Sequence, residues 1–318
     1  MTIFILQSMN IASIDIGTNT ILLLIVEINN NRITKILHDE QVIARLGKGV
    51  DKDKTILPET FQRALSFLQE YKKTCDKFQV EKIIAVGTSA LRDAKNRDEF
   101  CVFIQQHAGI SIEILSGDEE AQWTYRGGIF EFEQQSNNFT VIDIGGGSTE
   151  IIFGNKNSIN NKISLNIGCV RITERFLHSS PPSAEELDSA KKFITEELQK
   201  ISLTKIPSLT IGVAGTVTTL AALEQQLLHY EREKISGYEL SYNTISTIYN
   251  SLKTKTLEEI KQIPQISAGR ADIFLAGILI LLTFMEKTAT QKITVSDWGL
   301  RYGVILRETY QFSIDNEQ

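Results

Sequence analysis

Apolar residues gather in short blocks at the start of the chain. Ile11–Ile16, Ile21–Ile28 and Ile33–Ala44 predict three strands, separated by Gly17-Thr-Asn-Thr20 and by the turn Asn29-Asn-Asn-Arg32. Pro58 then opens a helix, with Phe61, Leu65, Leu68, Tyr71, Cys75 and Phe78 at helical spacing. A short buried strand follows at Ile83–Val86. From Ser89 onward the pattern turns helical, with Phe100, Phe103, Ile104 and His107 on one side. Ile112–Leu115 predicts another strand, and Asp118 a helix start. The pattern then begins again. Thr140–Ile144 is a strand, Gly-Gly-Gly-Ser a turn, and Glu150–Phe153 and Lys162–Asn166 two further strands. Ser183 and Glu186 form a capping box ahead of Leu187, Ala190, Ile194, Leu198 and Ile201. Leu209–Val213 predicts a strand feeding a turn and helix, and the remainder is mostly helical with one strand at Lys292–Val295.

The segments SIDIGTNTILLLIVEI (13–28) and VIDIGGGSTEIIFG (141–154) are two copies of one pattern: a buried strand ending in Asp-Ile-Gly, a small polar turn, and a second apolar strand. The copies lie 128 residues apart, at Asp15 and Asp143. A repeat of that period is a duplicated domain, and strands followed by helices in both halves give an α/β class.

Composition narrows the reading further. The 318 residues carry 42% hydrophobic and 23% charged side chains, ordinary for a globular chain, and the length suggests two domains. A net charge of −6 argues against a nucleic-acid partner held by bulk charge, so any anion must be held locally. The three cysteines, Cys75, Cys101 and Cys169, have neither number nor spacing for a disulfide framework or a zinc ribbon, and a cytoplasmic location is expected. The N-terminus lacks a basic region and a cleavage site, so no signal peptide is expected, and Met9 could equally be the start. The apolar run Ile273–Met285 is shorter than the ~20 residues a bilayer requires and predicts a buried helix, so no membrane partner is expected.

Candidate chemistry lies in the turns. A hairpin tip of glycines and hydroxyl residues can cradle a phosphate with converging backbone N–H groups. The first cradle is Gly17, Thr18, Asn19 and Thr20; the second is Gly145, Gly146, Gly147, Ser148 and Thr149. One such turn alone also reads as a plain hairpin, but two matched copies, each led by an aspartate, favour a polyanion held by both. The leading aspartates make sense if a divalent cation or ordered water stands between them and the phosphate. Gly215 and Thr216 lie where a strand enters a helix, which offers free N–H groups to an anion or, alternatively, a tight packing glycine. Ser116-Gly-Asp-Glu-Glu120 sets carboxylates at a helix start, either as dipole complements or as a general base. Arg92 follows a buried strand and could reach a phosphate or form a surface ion pair. His38, His107, His178 and His229 have no metal-ligand spacing.

DIGTNT, GTSALRD, SGDEEA, DIGGGSTE, NIGCVR, GVAGT, GRADIFLAGILIL and SDWGLRYG occur in that order. Together they resemble the exopolyphosphatase/guanosine pentaphosphate phosphatase family of the actin–Hsp70–sugar kinase superfamily, from about Ile11 to about Arg307. The resemblance implies two ribonuclease-H-like domains, each a mixed five-stranded sheet with helices, and an interdomain cleft. The expected domains are 1–126 plus 299–318, and 127–298, with hinges near Gly127-Gly128 and Trp298–Gly303. It implies hydrolysis of the terminal phosphoanhydride of inorganic polyphosphate with Mg²⁺ or, alternatively, of the 5′ γ-phosphate of guanosine pentaphosphate. A sugar or acetate-type kinase of the same superfamily and a non-catalytic guanosine tetra- or pentaphosphate sensor are the rivals. By position, Glu120 matches the catalytic base and Arg92 the phosphate-contacting arginine. Asp15 leads the first loop, and Asp143 and Glu150 match residues for metal and water; all three are the expected metal ligands. Arg171, Arg270 and Arg301 are further candidates for phosphate contacts. The family often carries a basic residue where this chain has Leu22, and longer members have extra C-terminal domains, so this is expected to be the short form. A homodimer is left open.

Overall fold

A computed structural model describes residues 8–201 and 209–315. The expectations about Met1 as the start and about a signal peptide fall on residues outside this range.

Contacts divide the chain into two units, 1–116 with 300–318, and 117–299. In the first unit β1 (Met9–Ile16), β2 (Thr20–Asn29) and β3 (Arg32–Ile43) are followed by α1 (Val50–Asp53), α2 (Pro58–Lys77), β4 (Lys82–Gly87), α3 (Ser89–Asp93), α4 (Arg97–Ala108) and β5 (Ile112–Ile114). The second holds α5 (Gly117–Ile129), β6 (Asn138–Ile144), β7 (Thr149–Asn155), β8 (Ile159–Leu165), α6 (Cys169–Phe176), α7 (Ala184–Leu198), β9 (Leu209–Val213) and α8 (Gly215–Glu224). It continues through α9 (Arg232–Ile235), β10 (Glu239–Ser241), α10 (Tyr242–Leu252), α11 (Leu257–Lys261), α12 (Phe274–Thr288) and β11 (Lys292–Val295). The last helix, α13 (Leu300–Asp315), returns to the first unit and packs on β1 and β2.

The duplication read from the sequence is a duplication of topology. The first sheet has the order β3-β2-β1-β4-β5, and the second β8-β7-β6-β9-β11 with β10 added at the edge. In each, three antiparallel strands come first and parallel strands join the leading one on its other side. The second sheet therefore has six strands where five were expected. Glu239–Ser241 is too short and too polar to stand out in the sequence, and it pairs antiparallel with β11.

The periodicities explain the packing. Ala64, Leu65, Leu68, Tyr71 and Cys75 of α2 are buried in the first unit's core with Ile14, Ile16, Leu23 and Ile25. Asn96 interrupts the helix expected from Ser89 onward, because its side-chain amide exchanges two hydrogen bonds with the backbone of Ile56, and α3 and α4 result. In the second unit the larger core is built on α12, which is buried along most of its length, as its apolar sequence predicts. No helix among the described residues is long and apolar enough to cross a membrane. The opposite face of that sheet buries Phe139, Val141, Ile152, Ile211 and Val213 under Ala121, Tyr125 and Ile129 of α5. This packing groups α5 with the second unit, from Gly117 onward.

Candidate active site

Each unit carries one of the two Asp-led turns, and both close in the same way. In the first, Gly17 N donates to Thr20 O at 3.0 Å; in the second, Gly145 N donates to Ser148 O at 3.0 Å. A Cβ on either glycine would lie 3.1 Å from that carbonyl, so the turn is tight for any other residue.

The carbonyls of both turns have identifiable partners. In the second unit, Gly145 O accepts from Cys169 N, and Gly146 O from Val170 N and Arg171 N, all at the start of α6. Gly147 O accepts from Arg171 Nε at 2.8 Å. Ser148 O is taken by Gly145. The loop carbonyls are thus bonded to α6, to Arg171 and within the turn itself, and a small-residue loop of this kind can turn backbone N–H groups toward an anion. Gly168 allows the close approach: a Cβ there would lie 2.4 Å from the Gly146 carbonyl. Arg171, a candidate phosphate contact in the sequence, is buried behind the loop as its support.

The first unit repeats this with a segment that the sequence reading passed over. Arg45 N donates to Asn19 O and Gly47 N to Thr18 O, both at 2.8 Å. A Cβ on Gly47 would lie 2.2 Å from Thr18 Cγ2. Residues 45–47 thus follow β3 as 168–171 follow β8. The glycines of RLGKG and NIGCVR, each after the third strand of its copy, were the available signal. Thr18, Asn19 and Thr20 are buried, and Asp15 is half-buried at the end of β1. Arg92 on α3 donates from Nη1 to the Leu115 carbonyl at 3.2 Å, within the same unit. Arg301 is tied to Asp39 and the Leu23 carbonyl, also in the first unit.

In the second unit the sheet sets three polar residues in a row. Asp143 on β6 stands opposite Glu150 on β7, which stands opposite Ser164 on β8. Glu150 is fully buried, and Ser164 Oγ donates to its Oε1 at 2.6 Å. Thr124 Oγ1 on α5 lies at a long 3.5 Å from Asp143 Oδ2. Glu120, one turn before Thr124 on α5, is buried although it sits in the first turn of its helix, where its neighbours Asp118 and Glu119 are exposed. A carboxylate complementing only the helix dipole would share their exposure.

Gly215 opens α8 and packs against Arg270: a Cβ there would lie 1.8 Å from Arg270 Nη1. Burial lowers the Arg270 pKa. Burial also pushes the Cys169 thiol up to about 11, with Arg270 acting in the opposite sense. Ala214, just before α8, has φ 71° and ψ 179°, a conformation natural only to glycine. The Thr216 side chain is buried against Gly277 of α12, where a Cβ would lie 2.4 Å from its Oγ1, so the hydroxyl is occupied in packing α8 on α12.

The described residues hold no cluster of three or more His, Cys, Asp and Glu side chains fit for a metal. Asp143 and Glu150, partners across β6 and β7, are the residues that could hold Mg²⁺. They are an adjacent pair of oxygen donors, and that ion commonly takes one or two carboxylates and completes its shell with water and substrate phosphate.

A duplicated actin-like fold, with an amide-lined turn led by aspartate in each unit and a buried glutamate on a helix packed over the second, defines a phosphate-handling enzyme. The chain belongs to the Ppx/GppA phosphatase family, whose sequence model matches residues 24–312. It is 32% identical over 311 residues to Exopolyphosphatase 2 of Mycobacterium tuberculosis, covering 93% of this chain and 97% of that protein. It is 37% identical over 306 residues to the Bifunctional 3-dehydroquinate synthase/phosphatase of Fusobacterium nucleatum, and there the chain spans about half, 46%, of the relative's length. The crystal structure of the Aquifex aeolicus member of the Ppx/GppA family matches with a TM-score of 0.82 and 34% identity, over 96% of this chain and 99% of that one.

Proposed function

We propose that the protein is an exopolyphosphatase, which releases terminal orthophosphate from inorganic polyphosphate. The observation that carries this reading is the burial of Glu120 on the helix packed over Asp143 and Glu150, in the unit whose phosphate turn has its carbonyls drawn away. The names of relatives such as Exopolyphosphatase 2 support the choice of substrate.

In this reading Glu120 accepts a proton from water as the water oxygen bonds to the terminal phosphorus. The bridging P–O bond breaks, and the shortened chain leaves as an already stabilised phosphate. Amides of the turn beyond Gly145, whose own N–H is spent on Ser148 O, would hold the phosphate oxygens and oppose the charge they carry. Asp143 and Glu150 would hold Mg²⁺, which supplies further charge neutralisation when bound. By itself, the first unit carries a turn of the same construction, and Arg92 lies on α3 of that unit.

The test is phosphate release from tripolyphosphate, guanosine pentaphosphate and ATP, assayed in parallel. A higher kcat/KM for tripolyphosphate is expected. A clear excess for guanosine pentaphosphate would make the protein a nucleotide phosphohydrolase, and phosphoryl transfer from ATP to an acceptor other than water would make it a kinase.

A further inference from the structure

We infer that Ser164 is a positioning residue for the reaction, acting through Glu150 and tying it to the helix that carries Glu120. Ser164 lies on β8, directly opposite Glu150 on β7. Its Oγ donates to Glu150 Oε1 at 2.6 Å, and Glu150 has no exposed surface. A buried carboxylate depends on its donors for orientation, since water cannot replace them.

Ser164 also sits under the first residue of α5. A Cβ on Gly117 would lie 2.7 Å from Ser164 Cβ and 2.9 Å from its Oγ, so only glycine lets the helix start there. Lys162, two residues back on β8, holds the same helix start through the Asp118 carbonyl at 3.0 Å. Further along α5, Thr124 approaches Asp143, the next residue of the row. The row Ser164–Glu150–Asp143 is thus tied to α5 near both of its ends, and Glu120 projects from the helical turn between these ties. A serine at this register fixes the carboxylate and seats the helix together; alanine would keep the seat and lose the donor.

The kinetic arm rests on the hydrolase reading, and it is run on whichever of tripolyphosphate and guanosine pentaphosphate the wild-type protein hydrolyses, so a wrong substrate assignment leaves it standing. Ser164→Ala is expected to lower kcat about tenfold with KM within about twofold. In the Glu150→Gln background it should cause no further loss of kcat. A crystal structure of Ser164→Ala, which needs no substrate, should show the Glu150 carboxylate turned from its wild-type orientation. Unchanged kcat, additive losses in the double variant, or a Glu150 carboxylate that keeps its place would each overturn the inference. If the alanine variant does not fold, Ser164→Cys, a weaker donor at the same position, carries the same measurements.

Discussion

Glu120 and Ala214 are two residues at which local rules are broken. Glu120 is a buried acid in a first helical turn. Its replacement by glutamine keeps the shape and removes the proton acceptor. Glu120→Gln is expected to lower kcat at least a hundredfold while substrate affinity, measured by calorimetry, stays within a few-fold. Residual activity within tenfold of wild type, about 1.4 kcal/mol of barrier, would assign the base elsewhere. Ala214 holds φ 71° and ψ 179° immediately before α8. That conformation costs a residue with a Cβ about 1–3 kcal/mol, against about 0.5–1 kcal/mol for the extra freedom of glycine in the unfolded chain. Ala214→Gly should therefore stabilise the protein by about 1 kcal/mol in urea unfolding. A destabilised variant would mean that the alanine methyl contributes more than the backbone loses.

At the scale of elements, α7 shows how much a well-formed terminus sets by itself. Ser183 accepts from Glu186 N at 3.2 Å, and the Glu186 carboxylate accepts from Ser183 N at 2.8 Å and from His178 N at 2.9 Å. Donation from the Ser179 hydroxyl, then from the Ser183 and His178 amides, holds the Glu186 carboxyl down at about 2, from 4.5. A depressed folded-state pKa gives a stabilising contribution that is complete above about 4.5 and is lost as pH falls toward 2. The stability difference between wild type and Glu186→Gln should be full at pH 6 and shrink across that window. A difference independent of pH would show that the charge of Glu186 plays no part in the cap. By contrast, Gly127 and Gly128, read from the sequence as a hinge, are buried in the last turn of α5. A Cβ on Gly128 would lie 3.2 Å from Val213 Cγ1, so this glycine serves close packing of helix on sheet.

For the whole molecule, the chain's return to the first unit has a testable consequence. α13 packs on β1. Arg307 forms a two-pronged ion pair with Glu113 at 3.0 and 2.8 Å, Glu308 pairs with Lys82, and Arg301 with Asp39, all inside that unit. A chain ending at Gly299 should lose protection across β1 and β4 in hydrogen exchange while β6, β7 and α12 keep theirs. Uniform loss would show that the two units fold only together. Removal of divalent cations by excess EDTA is expected to abolish phosphate release and Mg²⁺ to restore it, as the oxygen donors Asp143 and Glu150 suit a hard ion. Full turnover in EDTA would leave that pair of carboxylates a purely structural role.

The strands, the duplication and the α/β class were legible because they rest on patterns local in the chain: alternation and apolar blocks for strands, helical spacing for α2, a capping box for α7. The turns at Asp15 and Asp143 were legible because small residues at a strand end are needed wherever the backbone itself must bind. Tertiary structure decided what those turns could do. That the carbonyls of 145–148 are consumed by α6 and Arg171, and those of Thr18 and Asn19 by residues 45–47, depends on segments more than twenty residues away meeting at hydrogen-bond distance. Ser164 looks like any strand serine until the register of β8 places it opposite Glu150. Register, helix seating and the direction of a carbonyl are set by packing between distant segments, and no single stretch of the chain encodes them.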